Sequence, residues 1–423
     1  MPTSKSPLSL AAAVKSEPLE DLRRRVEREL RSNILAFWLN YAIDQEFGGF
    51  RGQITNDLII DPRAQKGLIL NARILWTFSK AYSAYGLDVY LETACRAYDY
   101  IVEHFWDPDF GGVYWMLDHW GHPVDRRKRI YGQAFMIYAL AEYHLATDDG
   151  EARRRALELY EIVESASHDA QYGGYFETYE RNWALAGDQR LSEIDMDASK
   201  SMNTHLHLLE AYTNLLRVRD DAGPRTRLQK LIEIFLEHII DAKTHHFRLF
   251  FDEDWQPKSG VISFGHDIEG SWLLCEAAQM VGNHGLRDAA QNEAVKMAEA
   301  VLEQAVDADG GLLYEAGASG ITDSDKHWWP QAEAVVGFWN AYQLSGRVEF
   351  LAAAQQSWEF IEKYIVDHTH GEWFWKVSRE GVPSNQKYKV DAWKCPYHNS
   401  RMCFETMARL DQMQAKDFSG AAK

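Results

Sequence analysis

Between Val390 and Glu405 the chain reads VDAWKCPYHNSRMCFE, and nothing else near the C-terminus sets so many reactive side chains so close together. His398 stands at its centre, where a helical pattern begins, with Trp393 five residues earlier. The starts of five other apolar runs carry groups of the same kind. They are Arg73 in NARILW, Tyr131 in RIYGQAF, Asn203 and His207 in MNTHLHLLEAY, His266 and Glu269 in GHDIEGSW, and Trp328 with Trp329 in HWWPQAEA. A helix apolar on nearly every side cannot bury an arginine or an imidazole without a partner. Six such coincidences describe one wet, polar cavity better than six separate core residues.

Imidazoles titrate near neutrality, and two of them on opposite sides of a carbon can take a proton from one face and return one to the other. A carbon next to a carbonyl is acidified through its enediolate, whose negative oxygen needs a cation such as Arg73 or a third imidazole. Glu269 lies one helical turn beyond His266, placed to orient that ring. With 15 tryptophans offering flat apolar faces to a sugar ring, this set points to an epimerase or isomerase of a free aldose. Metal chemistry has less support: His205 and His207 face different sides of a helix, and no HExxH spacing occurs. There is no GxSxG elbow for a nucleophile, and the glycine pairs are turns, not phosphate loops.

These residues need elements to hold them. Aromatic-flanked turns recur as FGGF at Phe47, FGGVYW at Phe110, YGGYF at Tyr172, HFRLFF at His246, GGLLY at Gly310 and HGEWFW at His370, spaced 63, 62, 74, 64 and 60 residues apart. A period that long holds more than one element. Each unit alternates an amphipathic helical pattern, as in 19–42, 286–306 and 348–366, with one apolar nearly all round, as in 67–86, 131–147, 202–218, 267–282 and 330–346. Six outer and six inner helices close into an all-α (α/α)6 barrel with short β-hairpins on one rim. The starts of the inner helices then meet at one end. A linear helical solenoid is the rival architecture.

Composition narrows the surroundings. The chain has 423 residues and a formal net charge of -18, with no basic patch for nucleic acid or an anionic membrane surface. The apolar run near the N-terminus is shorter than a secretory core and far shorter than a membrane span. Residues 1–18 are expected as a disordered lead, 19–415 as one barrel domain, and 416–423 as a flexible tail. Cys95, Cys275, Cys395 and Cys403 lack paired spacing, which suits the reducing cytoplasm, and Cys395 and Cys403 read as small packing residues.

The blocks KGLILNARILWTFSKAY, KRIYGQAFMIYALAEY, KSMNTHLHLLEAY, GHDIEGSWLL, WWPQAEAVVGFWN and WKCPYHNSRMCFE resemble those of the N-acylglucosamine 2-epimerase superfamily, most closely its cellobiose 2-epimerase branch. The resemblance runs from about Asn33 to Asp411. It implies an (α/α)6 barrel that works without metal or other cofactor, as a monomer or homodimer on a small carbohydrate. It makes His266 and His398 the acid/base pair at carbon 2 of a reducing-end glucose. His207 would assist at the oxygens, Arg73 would stabilise a cis-enediolate and Glu269 would support His266. Tyr131 and Asn203 would bind substrate, with Trp393 and Trp329, rather than Trp328, as stacking platforms. The expected substrate is a β-1,4 disaccharide such as cellobiose or lactose.

The alternatives are a mannose-glucose 2-epimerase or mannose-fructose isomerase, and then an N-acylglucosamine epimerase. Residues 180–199 and 245–260 are where a second sugar ring would be admitted or excluded. An (α/α)6 glycosidase would draft two carboxylates from Asp195, Asp197 and Glu333 but leave the histidines idle. A sugar-binding protein would lack opposed bases.

Overall fold

The apolar runs are long helices, and the amphipathic patterns between them pack on their outside. In a computed structural model that describes residues 19–421, with side chains as far as residue 413, twelve helices alternate along the chain. They are α1 (Leu19–Arg28), α2 (Leu68–Tyr85), α3 (Asp88–Tyr100), α4 (Ile130–Thr147), α5 (Gly150–Ala166), α6 (Met202–Val218), α7 (Ala222–Ile234), α8 (Phe264–Val281), α9 (His284–Gln304), α10 (Trp328–Ser345), α11 (Val348–Phe360) and α12 (Tyr397–Ala421). The even-numbered helices each touch the next, and α12 returns to α2, which closes the inner ring; α3, α5, α7, α9, α11 and α1 pack outside it. This is the (α/α)6 barrel read from the periodicity, and its closure excludes the solenoid. The lead expected at 1–18 lies outside the described residues. The tail expected at 416–423 is helical backbone as far as Ala421, and its last two residues lie outside the description. Among the described residues no helix is long and apolar enough to cross a membrane.

The short strands on the rim join neighbouring units. The two residues ahead of α2 pair antiparallel with Met116 and Leu117 of the next unit, and those ahead of α6 pair with Phe250 and Phe251. Ile54 bridges to Val390, so the first unit is tied to the last. The ring is thus closed twice, by helix packing and by this bridge.

A buried lysine two residues ahead of four inner helices fastens each helix to its own turn. Lys66 donates to Asp44 at 2.9 Å and to the Gly48 carbonyl, Lys128 to Asp107 and Gly111, Lys200 to Asp169 and Gly173, and Lys326 to Asp309. Lys389 repeats the contact with Asp367 and Gly371 in the last unit. The fourth unit has Ile262 at this place, and there His245, at φ 59°, takes the left-handed position that a glycine holds in other turns. Removing one member of such a buried pair strands the other charge where no second cation stands by, as at Asp169, so Lys200→Ala is expected to lower the unfolding free energy by about 3–5 kcal/mol, read by denaturant titration.

The fourth residue of four inner helices, α4, α6, α8 and α10, reaches back to the same turn. Gln133 accepts from the Val113 amide at 2.9 Å and donates to its carbonyl at 3.0 Å, and Gln331 does the same with Leu312. In the third unit this residue is His205, whose Nε2 accepts from the Tyr175 amide at 2.9 Å while Nδ1 faces the Ser201 carbonyl at 2.7 Å. That pattern requires the neutral ring, and burial pushes His205 down to about 3. The unfolded chain takes up the proton near 6.5 and the folded one does not, so stability is complete above that value and falls as pH drops from about 6.5 towards 3. The loss is about 1.4 kcal/mol per pH unit for this group. His205→Gln, copying the second and fifth units, is expected to flatten that acid slope in denaturant titrations between pH 7 and 5.

Candidate active site

The N-terminal ends of the inner helices surround a cavity of about 890 Å3. All nine residues expected from the sequence line it: Arg73, Tyr131, Asn203, His207, His266, Glu269, Trp329, Trp393 and His398. Residues as far apart as 73 and 398 therefore meet because each opens an inner helix.

His266 sits on the first turn of α8, with its Nδ1 2.7 Å from the Ser263 hydroxyl. Here the expectation for Glu269 needs correction. The Glu269 carboxylate accepts from Arg401 at 2.6 Å and lies 3.9 Å from His398 Nδ1, and Ser263 is the group that holds His266. Three residues along a helix is the right face, but a glutamate is long enough to reach the barrel axis, where a buried cation draws it. The partner of His398 is Glu333, whose Oε1 lies 2.7 Å from Nδ1. His207 Nδ1 lies 3.1 Å from Glu210.

His207, His266 and His398 are all held below the ordinary imidazole range. Burial pushes His266 down to about 3. Burial, then Arg73 and Arg401, depress His398, and burial lowers His207 against the pull of Glu210. Neutral rings with Nδ1 engaged leave Nε2 as the atom available for proton transfer.

Trp328 and Trp329 both line the cavity, with Trp329 the nearer to the histidines. Its ring lies 4.7 Å from His266 and 5.6 Å from His398, whereas Trp328 is 3% exposed and packs 4.6 Å from Trp375. Successive helical residues point about 100° apart, so the two indoles line different parts of the cavity wall. Gly265 makes room for Trp329, because a Cβ there would lie 2.6 Å from its ring. Opposite, Trp393 packs 6.0 Å from Tyr131. Asp391 accepts from the Trp393 and Lys394 amides, which fixes the turn that carries the indole.

Arg73 is a buried cation with no carboxylate within ion-pair distance among the described residues. Its Nη2 donates to the Tyr131 hydroxyl at 3.0 Å, Nη1 approaches Cys395 Sγ at 3.9 Å, and the guanidinium lies over Phe135 and Tyr397. Cys395 thus does more than fill space; it touches the cation. Asn203 Oδ1 is buried without a partner in the same cavity. Such groups await a polar ligand with an electron-rich oxygen and a hydroxyl donor.

Beneath the histidines, Glu210, Glu269 and Glu333 converge on Arg401. Burial and the neighbouring Glu333 push Glu269 up, while Arg401 holds Glu210 down at about 2 against its burial. Glu269, Glu333 and His398 bring three possible metal ligands within 4.8 Å of one another. Arg401 donates to both carboxylates, so the cation this cluster holds is a guanidinium. Two of the carboxylates a glycosidase would draft are spent in the loop itself, Asp195 accepting from Ser192 and Asp197 from the Gln189 amide. Glu333 accepts from Trp272 at 3.0 Å as well as from Arg401.

Sequence reasoning overlooked Ser263, Glu210, Arg401 and the pairing of Glu333 with His398. The signal was present as polar residues three or four positions beyond the cavity residues: Glu210 after His207, Glu333 after Trp329, Arg401 after His398.

The chain is similar to cellobiose 2-epimerases along nearly its whole length. It is 47% identical to that of Bacteroides fragilis over 92% of this chain and 99% of the relative, and 41% identical to that of Dictyoglomus turgidum over 93% and 100%. The solved cellobiose 2-epimerase of Bacillus thermoamylovorans superposes with a TM-score of 0.89 at 37% identity, covering 92% of this chain and 100% of the other. The N-acylglucosamine 2-epimerase (GlcNAc 2-epimerase) family model matches residues 48–400. By that match, and by relatives that align end to end, the chain belongs to the N-acylglucosamine 2-epimerase family.

Proposed function

We propose that the protein is a cofactor-independent sugar 2-epimerase that inverts carbon 2 of the reducing-end glucose in cellobiose- or lactose-type β-1,4 disaccharides. The observation that carries this reading is the pair of neutral imidazoles, His266 and His398, both against Trp329 in a cavity that also holds an unpaired guanidinium. A cavity of about 890 Å3 has room for two sugar rings, and the end-to-end relatives are cellobiose 2-epimerases.

The sugar first opens to its aldehyde, since only then is the proton on carbon 2 acidic. One imidazole Nε2 removes that proton, the electron pair enters the bond between carbons 1 and 2, and the aldehyde oxygen becomes an enediolate oxyanion. Arg73 and Tyr131 stabilise this oxyanion. Rotation about the bond between carbons 2 and 3 turns the other face to the second imidazole, whose Nε2 has by then taken a proton from solvent in the cavity and passes it to carbon 2, while the first ring gives its own proton back to solvent. His207 assists at the oxygens. Trp329 and Trp393 stack on the sugar, and Asn203 Oδ1 accepts from a hydroxyl. The protein is proposed to act in the cytoplasm, in keeping with its four free cysteines, as a monomer or homodimer.

Incubation with cellobiose, glucose and mannose in deuterated water tests the reading. The expected result is deuterium at carbon 2 and a mannose-ended product from cellobiose. Fructose from mannose would make the protein an isomerase, released glucose a glycosidase, and no change a binding protein.

A further inference from the structure

Arg401 lies on the second turn of α12, directly under the cavity, and its side chain is 2% exposed. From this position one guanidinium reaches carboxylates on three different inner helices. It donates to Glu210 on α6, to Glu269 on α8 at 2.6 Å and to Glu333 on α10 at 2.7 Å. The rings of Trp272 and Tyr397 lie 4.9 and 4.4 Å from it, so the group cannot swing away. Two of the three glutamates pass the contact on to a cavity histidine, Glu210 to His207 and Glu333 to His398, in each case through Nδ1.

We infer that Arg401 is a positioning residue that keeps Glu210 and Glu333 as ionised acceptors, so that His207 and His398 carry their protons on Nδ1 and present a bare Nε2 to the sugar. The inference rests on the two-histidine reading of the site and deepens it. A carboxylate accepts from Nδ1–H only while ionised; once protonated it becomes a donor, and the imidazole answers by moving its proton to Nε2. A ring in that state has no lone pair for the proton on carbon 2. Three carboxylates buried together do not all stay ionised near neutrality without a positive charge among them. Arg401 supplies that charge, and its planar fork bonds all three at once, which a lysine cannot do.

The other groups around it do not replace it. Tyr138 from α4 and Tyr397 from α12 are neutral, their hydroxyls pushed well above the ordinary tyrosine value by burial. His207 and His398 are neutral rings. Arg73 from α2 lies across the Tyr397 ring, 5.0 Å from its centre, with no hydrogen bond to any of the three glutamates.

Two measurements test the inference. Nitrogen NMR of histidine-labelled protein, with His207 and His398 identified by their loss in single alanine variants, reads the tautomer directly. Nε2 is expected to be unprotonated in both rings of the wild type, and a protonated Nε2 in either overturns the inference. In Arg401→Met the carboxylates ionise only at higher pH. The acid limb of kcat is then expected to move up by at least about one pH unit, with kcat at pH 7 reduced about 100-fold or more. KM should stay within about threefold, because the stacking residues are untouched. Arg401→Lys restores a charge and is expected to bring the acid limb back towards its wild-type position. A loss of kcat that is the same at every pH, with both tautomers unchanged, means that Arg401 only packs and overturns the inference. Should Arg401→Met not fold, the wild-type tautomers and the profile of Arg401→Lys still decide it. Failure of the two-histidine reading is seen separately, as retained turnover in the alanine variants at 266 and 398.

Discussion

Replacing either His266 or His398 by alanine is expected to lower conversion of cellobiose to its epimer by about 10^4-fold, the upper range for loss of a proton-transfer group. The fold survives, because each side chain borders the cavity and its removal strands no buried charge. The more telling result concerns hydrogen exchange. With two bases on opposite faces, a variant lacking one can still remove the proton from the epimer that faces the other. Each single variant should therefore exchange deuterium into carbon 2 of one epimer only, the two variants choosing opposite epimers, without interconverting them. Conversion within tenfold of wild type in either variant removes the two-base mechanism. Exchange into both epimers by one variant makes a single imidazole sufficient.

Arg73→Met is expected to reduce kcat by about 10²–10³-fold, the usual cost of removing one oxyanion donor, or about 2.7–4 kcal/mol of transition-state stabilisation. KM should change much less, because the negative charge that Arg73 meets exists only after the proton has left carbon 2. The side chain lies over the rings of Phe135 and Tyr397, which accept a methionine of similar length, so stability should hold. Equal losses in kcat and 1/KM would place Arg73 on the ground-state sugar instead. Rapid kinetics with cellobiose and lactose, together with a thermal melt, separate these outcomes.

Much of this molecule is written in its one-dimensional pattern. Turns repeating every sixty-odd residues, with an apolar and an amphipathic helix between them, admit few closed arrangements, and local periodicity is enough to read them. The cavity residues could be named for the same reason: Arg73, His207, His266 and His398 are polar groups on helices that otherwise bury every face. The buried lysines were equally readable, since Lys66, Lys128, Lys200 and Lys326 each stand two residues ahead of an inner helix.

What the pattern left open is who touches whom across the ring. Spacing along α8 put Glu269 on the same face as His266, but the field of Arg401, 132 residues further on, decides where the carboxylate goes. Glu333 read as a spare acid until α10 and α12 were brought side by side and its oxygen met His398. Trp328 and Trp329 are indistinguishable as letters, and only the angle at which α10 enters the barrel packs one indole against Trp375 and brings the other closer to His266 and His398. The sequence by itself determined the helices, their alternation and the polar groups at their starts, because those depend on neighbours a turn or two away. The tertiary structure alone decided the hydrogen-bond partners of those groups, because each partner comes from a different helix of the ring.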